Sequence, residues 1–380
     1  MKRSPKILEM MVGKSILGII WLILSLTVLT AAQPAAASEA RLVGVKIYEP
    51  VQDFPGLFND WERLGINTAF VSVALAENPA FMDLARARRI PVFVIIPVFF
   101  NPEELVRRPD WFAITGSGQP AKSDWVEFVC PNRPDYRRQR LDYIRRVIEK
   151  CRPDGISIDF IRYFAFWEMV YPDAVLDPLQ NTCFCSACRQ AMAAEKTIGL
   201  PGNLGDVKAQ AEWIQQNRRQ AWAQWKCRII ASMVGDIAAA ARMLKPDIRL
   251  NIHLVPWQKK DFNDAQHTVV AQDVPLLAEY VDYLSPMCYA HMVKRPASWV
   301  HQVVADIHRQ TSKPILPSIQ VAEEYITQKL TVQDFAAYLR EALKPPSRGV
   351  VFWNWVALAS DPAKMAVVRD SCTAPNSGKK

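Results

Sequence analysis

Histidine is scarce in this sequence, with 5 among 380 residues. A catalytic metal site usually needs several converging ligands around an open coordination position, so metal-dependent hydrolysis has little material to work with. A dense Lys/Arg patch interleaved with aromatics is also missing. Arg137, Arg138, Arg140, Arg145 and Arg146 fall on the polar face of one predicted helix. The formal charge of +8 drops to +5 once residues 1–37, with four basic residues and one acidic, are set aside. Nucleic acid is therefore not an expected partner. The apolar run Ile16 to Leu29 is shorter than the roughly 20 residues that comfortably span a bilayer, and no later segment reads as transmembrane. Preceded by Lys2, Arg3, Lys6 and Lys14 and followed by Ala35-Ala36-Ala37, it reads as a cleaved export signal over residues 1–37. The expected product is secreted or periplasmic, with no membrane span after cleavage, and no cysteine stands near the cleavage point to take a lipid anchor.

What is abundant is hydrophobic residue, at 50%, enough for one large core over residues 38–372, with 373–380 expected as a disordered tail. Eight short apolar runs, at 42–49, 68–75, 91–98, 155–161, 249–256, 283–289, 315–321 and 349–355, alternate with helical patterns or long loops. Alternating strand and helix implies a parallel sheet. Helix ends are readable at Pro134, at Ser298 as a cap, and at Thr331 with Asp334 three residues on. Strand parity goes further, because a barrel's outer face must be apolar to receive helices while its inner face need not be. Lys46 and Tyr48, Ser72, Ser157 and Asp159, Asn251 and His253, Ser285, Met287 and Tyr289, and Ser318 and Gln320 each share one parity of their strand. The expected fold is a TIM (β/α)8 barrel with a long insertion after strand 4, where residues 164–248 exceed one crossover.

Serines inside a barrel fill its taper, but a carboxylate there must be solvated, paired or functional. That singles out Asp159, at the end of the segment Asp154-Gly155-Ile156-Ser157-Ile158-Asp159-Phe160-Ile161-Arg162-Tyr163. The segment resembles the fourth strand of a broad set of bacterial glycoside hydrolase-like (β/α)8 barrels, which show a similar Asp-Gly-apolar-x-x-Asp-aromatic-x-Arg-Tyr run. Cys130-Pro131-Asn132-Arg133-Pro134 is similar to the lead-in of that family, and Val281-Asp282-Tyr283-Leu284-Ser285-Pro286-Met287-Cys288-Tyr289 resembles its sixth strand. With Trp353 on the eighth, the likeness covers most of residues 42–365. A more distant similarity, to the chitinase-type signature, breaks at Ser157 and at Ile161, which stands where the chitinase glutamate would be. The resemblance implies a carbohydrate hydrolase, with Asp159 as an inward carboxylate and Met287 and Tyr289 in the substrate floor.

Glycoside hydrolysis usually needs two carboxylates. Strand-end candidates for the second are Glu49, Glu77, Asp261, Glu323 and Glu324, with Glu49 and Glu323 ranked first as catalytic partners of Asp159. Expected substrate-binding residues are Lys46, Tyr48, Arg162, Tyr163, His253, Trp257, Met287, Tyr289, Gln320 and Trp353: polar groups to read hydroxyls and flat rings to stack on sugars. The expected partner is a polysaccharide or oligosaccharide, and no cofactor is required for the chemistry. A non-catalytic saccharide-binding envelope protein is the alternative, and the presence or absence of a second carboxylate near Asp159 separates the two. Cys183, Cys185 and Cys188 have a C-x-C-x-x-C spacing that could place three thiolates on a structural zinc or an iron, with no fourth ligand evident nearby. Disulfides to the distant Cys130, Cys151 or Cys227 stand as the alternative.

Overall fold

The computed structural model describes residues 41–373. The reading of residues 1–37 as an export signal, and residues 374–380 of the expected tail, lie outside the described residues. Eight parallel strands form the central sheet: β1 Leu42–Ile47, β2 Thr68–Val71, β3 Val92–Pro97, β4 Gly155–Asp159, β5 Arg249–Leu254, β6 Tyr283–Pro286, β7 Ser318–Gln320 and β8 Gly349–Trp353. Their order is β6-β5-β4-β3-β2-β1-β8-β7. Parallel bridges Leu284 to Ile315 and Met287 to Ser318 bring β6 against β7 and close the barrel. The helices that return the chain are α1 Phe54–Leu64, α2 Pro79–Ala87, α3 Pro134–Cys151, α4 Arg219–Leu244, α5 Val274–Ala278, α6 Ser298–His308, α7 Val332–Ala342 and α8 Pro362–Cys372. This is the TIM-like α/β barrel that the alternation implied. Among the described residues no helix is long and apolar enough to cross a membrane.

Local chemistry sets the element ends. Asp53 caps α1 by accepting from the Gly56 N–H at 2.9 Å, and Gly65, at φ +71°, ends it in the left-handed conformation that glycine takes without steric cost. Thr331 accepts from the Asp334 N–H at 3.1 Å and donates to its carboxylate at 2.7 Å, starting α7. Ser298 does not cap α6 as expected: it is already the first helical residue, because the Pro296 carbonyl takes the Trp299 N–H and starts the turn earlier. Strands β2, β6 and β7 are shorter than their apolar runs; residues 73–76, for instance, turn into a helical segment capped by Ser72.

The outward parity of each strand, such as Val43, Val45 and Ile47 or Ile156 and Ile158, joins the main core under the helices. The inward parity splits into two layers. At the N-terminal end Phe70, Phe93, Ile95, Leu316 and Val351 form a separate apolar plug, with Phe70 and Phe93 stacked at 5.1 Å. Gly155 makes room for it, since a Cβ there would lie 2.3 Å from the Phe93 ring. Above the plug the inward residues become polar, and that change positions the site.

Candidate active site

Asp159 is the last residue of β4 and 9% exposed. Its carbonyl takes the Val98 N–H at 2.8 Å, after which the chain leaves the ladder sharply: Phe160 sits at φ +48°, and its N–H turns back onto Asp159 Oδ1 at 2.7 Å. Left-handed backbone at a phenylalanine costs about 1–3 kcal/mol and persists only where surroundings enforce it. Here the Phe160 ring stacks on Phe100 at 4.7 Å, and the Arg162 guanidinium lies 5.5 Å from its centroid.

The other oxygen of Asp159 faces His253 Nδ1 at 3.3 Å. His253 Nε2 lies 2.7 Å from Ser157 Oγ, which accepts from Asn251 Nδ2 at 2.8 Å, while Ser285 Oγ donates to Asn251 Oδ1 at 2.8 Å. One direction of donation satisfies the whole chain: Ser285 to Asn251 to Ser157 to His253 to Asp159. It requires a neutral His253 with its proton on Nδ1. Burial lowers the pKa of His253 against the pull of Asp159, in keeping with that neutral form. Lys46 Nζ lies 3.3 Å from His253 Nδ1 and donates to the Tyr289 hydroxyl at 3.1 Å. Burial brings the Lys46 ammonium down to about 8 while Asp159 opposes the shift, so it stays mostly charged at neutral pH. Burial alone would raise Asp159, but His253, Lys46 and the Phe160 N–H outweigh it and hold the carboxyl well below the usual carboxylate range.

A second buried carboxylate lies on the loop after β4. Glu168, in the short 3₁₀ turn Trp167–Met169, is 8% exposed, and its Oε2 has no hydrogen-bond partner. Burial pushes its pKa up to about 7; the Arg162 charge opposes this and the Asp159 charge adds to it. The sequence reading missed Glu168 because it lies on irregular chain with no strand parity. The available signal was one acidic residue inside the aromatic stretch Phe164, Phe166, Trp167 and Tyr171, where desolvation is to be expected.

The residues singled out from sequence fall into three groups. Lys46, His253, Tyr289 and Trp353 converge beside Asp159, with Trp353 stacked on Tyr289 at 4.3 Å; Met287 is buried at the end of β6, and Tyr48, 38% exposed, sits at the mouth. Arg162 is buried between the Phe128 and Phe160 rings and donates to the Tyr163 and Ala165 carbonyls rather than to Asp159. Tyr163 is fully buried. Both ends of the Gln320 amide are committed to backbone, Oε1 to the Met292 N–H and Nε2 to the Ala322 carbonyl, each at 2.8 Å. Glu49 accepts from the Tyr48 N–H and from Asn354, and Glu323 accepts from the Leu330 N–H at 2.9 Å. Among the other strand-end acids, Asp261 pairs with Arg295 and Glu77 with Lys150.

Aromatic side chains from separate loops meet over the mouth. Trp125, on the turn of the hairpin formed by Lys122–Ser123 and Val126–Glu127, donates from Nε1 to the Tyr325 hydroxyl at 2.5 Å and packs on Phe100, Phe160 and Phe166. Trp125 and Tyr325 remain 43% and 39% exposed. A cavity of about 690 Å³ opens alongside, lined by Phe164, Phe166, Val170, Trp257 and Phe262 among others; Asp159 and Glu168 are not among its lining residues.

This architecture is shared with glycoside hydrolase barrels. The glycoside hydrolase domain of PgaB (BpsB) from Bordetella bronchiseptica matches with a TM-score of 0.65 at 14% identity, over 88% of this chain and 99% of that one. The β-galactosidase of the Antarctic haloarchaeon Halorubrum lacusprofundi matches at 0.63 and 12%, over 87% of this chain and 57% of that one. The α-L-fucosidase isoenzyme 2 of Paenibacillus thiaminolyticus matches at 0.55 and 13%, over 87% and 48%. This chain therefore spans about half the length of those two enzymes. No protein-family model and no curated protein sequence matches it.

Proposed function

We propose that this protein is an exported glycoside hydrolase acting on a polysaccharide or oligosaccharide, with Asp159 and Glu168 as its two carboxylates. The observation that carries the reading is the opposed pair of environments. Asp159 is held ionised by Lys46, by the His253 hydrogen bond and by a backbone N–H, whereas Glu168, without a partner on Oε2, keeps its proton up to about pH 7. Two carboxyls pushed apart in this way are what acid-assisted glycoside cleavage requires.

In this reading Glu168 protonates the glycosidic oxygen as the bond breaks. Asp159 meets the positive charge developing at the anomeric carbon, as nucleophile or as base towards water. His253 and Ser157 fix the orientation of Asp159 rather than touching the sugar. Tyr289 and Trp353 form one stacking surface beside the carboxylates, and Trp125 and Tyr325 form another at the mouth. A second buried carboxylate favours this reading over a saccharide-binding protein, which has no need of a desolvated acid. Glu168 is preferred to Glu49 and Glu323 because it alone of the three is buried and lacks a partner on one oxygen. Residues 1–37 are proposed to direct export.

The test is reducing-end release from a panel of bacterial and plant polysaccharides by wild type, Asp159→Asn and Glu168→Gln, with activated aryl glycosides in parallel. Asp159→Asn is expected to lose both activities. Glu168→Gln is expected to lose polysaccharide cleavage while keeping the aryl glycosides, whose leaving groups need no acid. Equal release by wild type and Asp159→Asn would overturn the assignment.

A further inference from the structure

Away from the carboxylates, four cysteines from two loops converge. Cys183, Cys185 and Cys188 come from the segment after β4, and Cys130 stands four residues before α3, between the hairpin and that helix. All four are buried, and their sulfur atoms all lie within 4.8 Å of one another. Cys130 Sγ is 3.4 Å from Cys188 Sγ and 3.5 Å from Cys185 Sγ. A tetrahedral zinc site with Zn–S bonds of about 2.3 Å has sulfurs roughly 3.8 Å apart along each edge. The cluster has that scale, whereas a disulfide draws one pair to about 2.05 Å and leaves the rest aside. Cys130 is nearly equidistant from two sulfurs, which suits a shared ion better than a single bond.

The surroundings have the charge complement such an ion needs. Four thiolates on a divalent cation carry two net negative charges, expensive to bury without compensation. Cys183 Sγ accepts from the Ile114 N–H at 3.3 Å and from the Cys185 N–H at 3.5 Å, the backbone donors that typically surround metal-bound sulfur. The buried ammonium of Lys226 is anchored close by. It donates to Asn181 Oδ1 at 2.7 Å and to the Thr268 and Val269 carbonyls at 3.0 Å, and Asn181 Oδ1 also accepts the N–H of Thr182, the residue before Cys183. Among the described residues no carboxylate forms an ion pair with this ammonium, and its charge acts instead on the neighbouring thiols Cys227, Cys183 and Cys188.

We propose that Cys130, Cys183, Cys185 and Cys188 hold one structural zinc ion, with Lys226 as its buried counter-charge. The ion closes the coordination sphere with protein ligands, so it leaves no open position for substrate; its role is mechanical. It ties the segment before α3 to the loop after β4, the same loop that carries Glu168 and the wall of the adjoining cavity. Binding releases the protons of the four thiols and involves no oxidation.

Metal analysis and intact-mass measurement of the full chain purified without added metal test this directly. The expected result is one zinc per chain, with every cysteine titratable by a thiol reagent once the protein is denatured in chelator. A metal-free chain whose mass is lower by two hydrogens per disulfide, or iron in place of zinc, would overturn it. Cys188→Ser is expected to lose the metal while Cys288→Ser, outside the cluster, keeps it; metal retained in Cys188→Ser would also overturn it. Should Cys188→Ser fail to fold, cobalt exchanged into wild type should show thiolate-to-cobalt charge transfer, and its absence would count against four sulfur ligands. Lys226→Met is expected to weaken zinc retention against a competing chelator by at least tenfold, and unchanged retention would remove Lys226 from the proposal. Chelation is further expected to open the loop at 164–188 to protease, a readout independent of catalysis.

Discussion

At the scale of single residues, the site turns on which carboxyl keeps its proton. Above about pH 7 Glu168 must ionise in a buried place, so hydrolysis should fall as pH rises through that value, and Glu168→Gln should lose polysaccharide activity by roughly 10²–10⁴-fold. Stability should fall over the same range. The proton of Glu168 is bound more tightly in the folded protein than at the ordinary glutamate value of 4.5; the stability this brings is full below that value and lost as pH rises through about 7. Glu168→Gln should therefore be more stable than wild type at pH 8, by up to roughly 3 kcal/mol, as read from denaturant midpoints. Lys46→Met tests the opposite member of the pair. Removing the cation raises the pKa of Asp159, so the acid limb of the rate profile should shift to higher pH, while a purely structural role for Lys46 would leave that limb in place. Asp159 was legible in the sequence because strand parity and a charge inside a barrel make a strong argument together. Glu168 was not, because a loop has no periodicity and its burial depends on what folds over it.

At the scale of elements, the inward face of the barrel works as an apolar plug below and a hydrogen-bonded polar layer above. Gly155 belongs to the plug: Gly155→Ala would drive a methyl group into the Phe93 ring and should cost about 1–3 kcal/mol in thermal or denaturant unfolding. Phe93→Leu in the same chain should recover only part of that loss, because it relieves the contact with the ring but not the one with the Arg249 carbonyl, 2.8 Å from the same Cβ. The polar layer depends on register. Ser157 pairs with Asn251, and His253 with Ser285, across adjacent strands, so side chains far apart in sequence become neighbours in one ladder. Alternation predicted that each of these residues faces inward. It could not predict that Gln320, on the same parity, would spend its amide on the Met292 and Ala322 backbone. That outcome depends on how the loops after β6 and β7 fold back over the strand ends.

At the scale of the whole molecule, loops from across the barrel meet over one mouth, and the contact between Trp125 and Tyr325 joins residues 200 positions apart. Trp125→Ala should raise KM about tenfold with little change in kcat, the loss of one stacking surface; an equal fall in kcat would place Trp125 nearer the reacting bond. The barrel itself was determined by the sequence, because eight apolar runs, helix periodicity and side-chain parity are local patterns that any correct fold must satisfy. Asp159, Lys46 and His253 followed from the same parity. The tertiary structure alone decided the partners: that Glu168 is desolvated, that Cys130 completes the set of Cys183, Cys185 and Cys188, and that Trp125 and Tyr325 meet. Each of these rests on a long loop whose path is fixed by packing against other loops, and no local pattern in the chain encodes that packing.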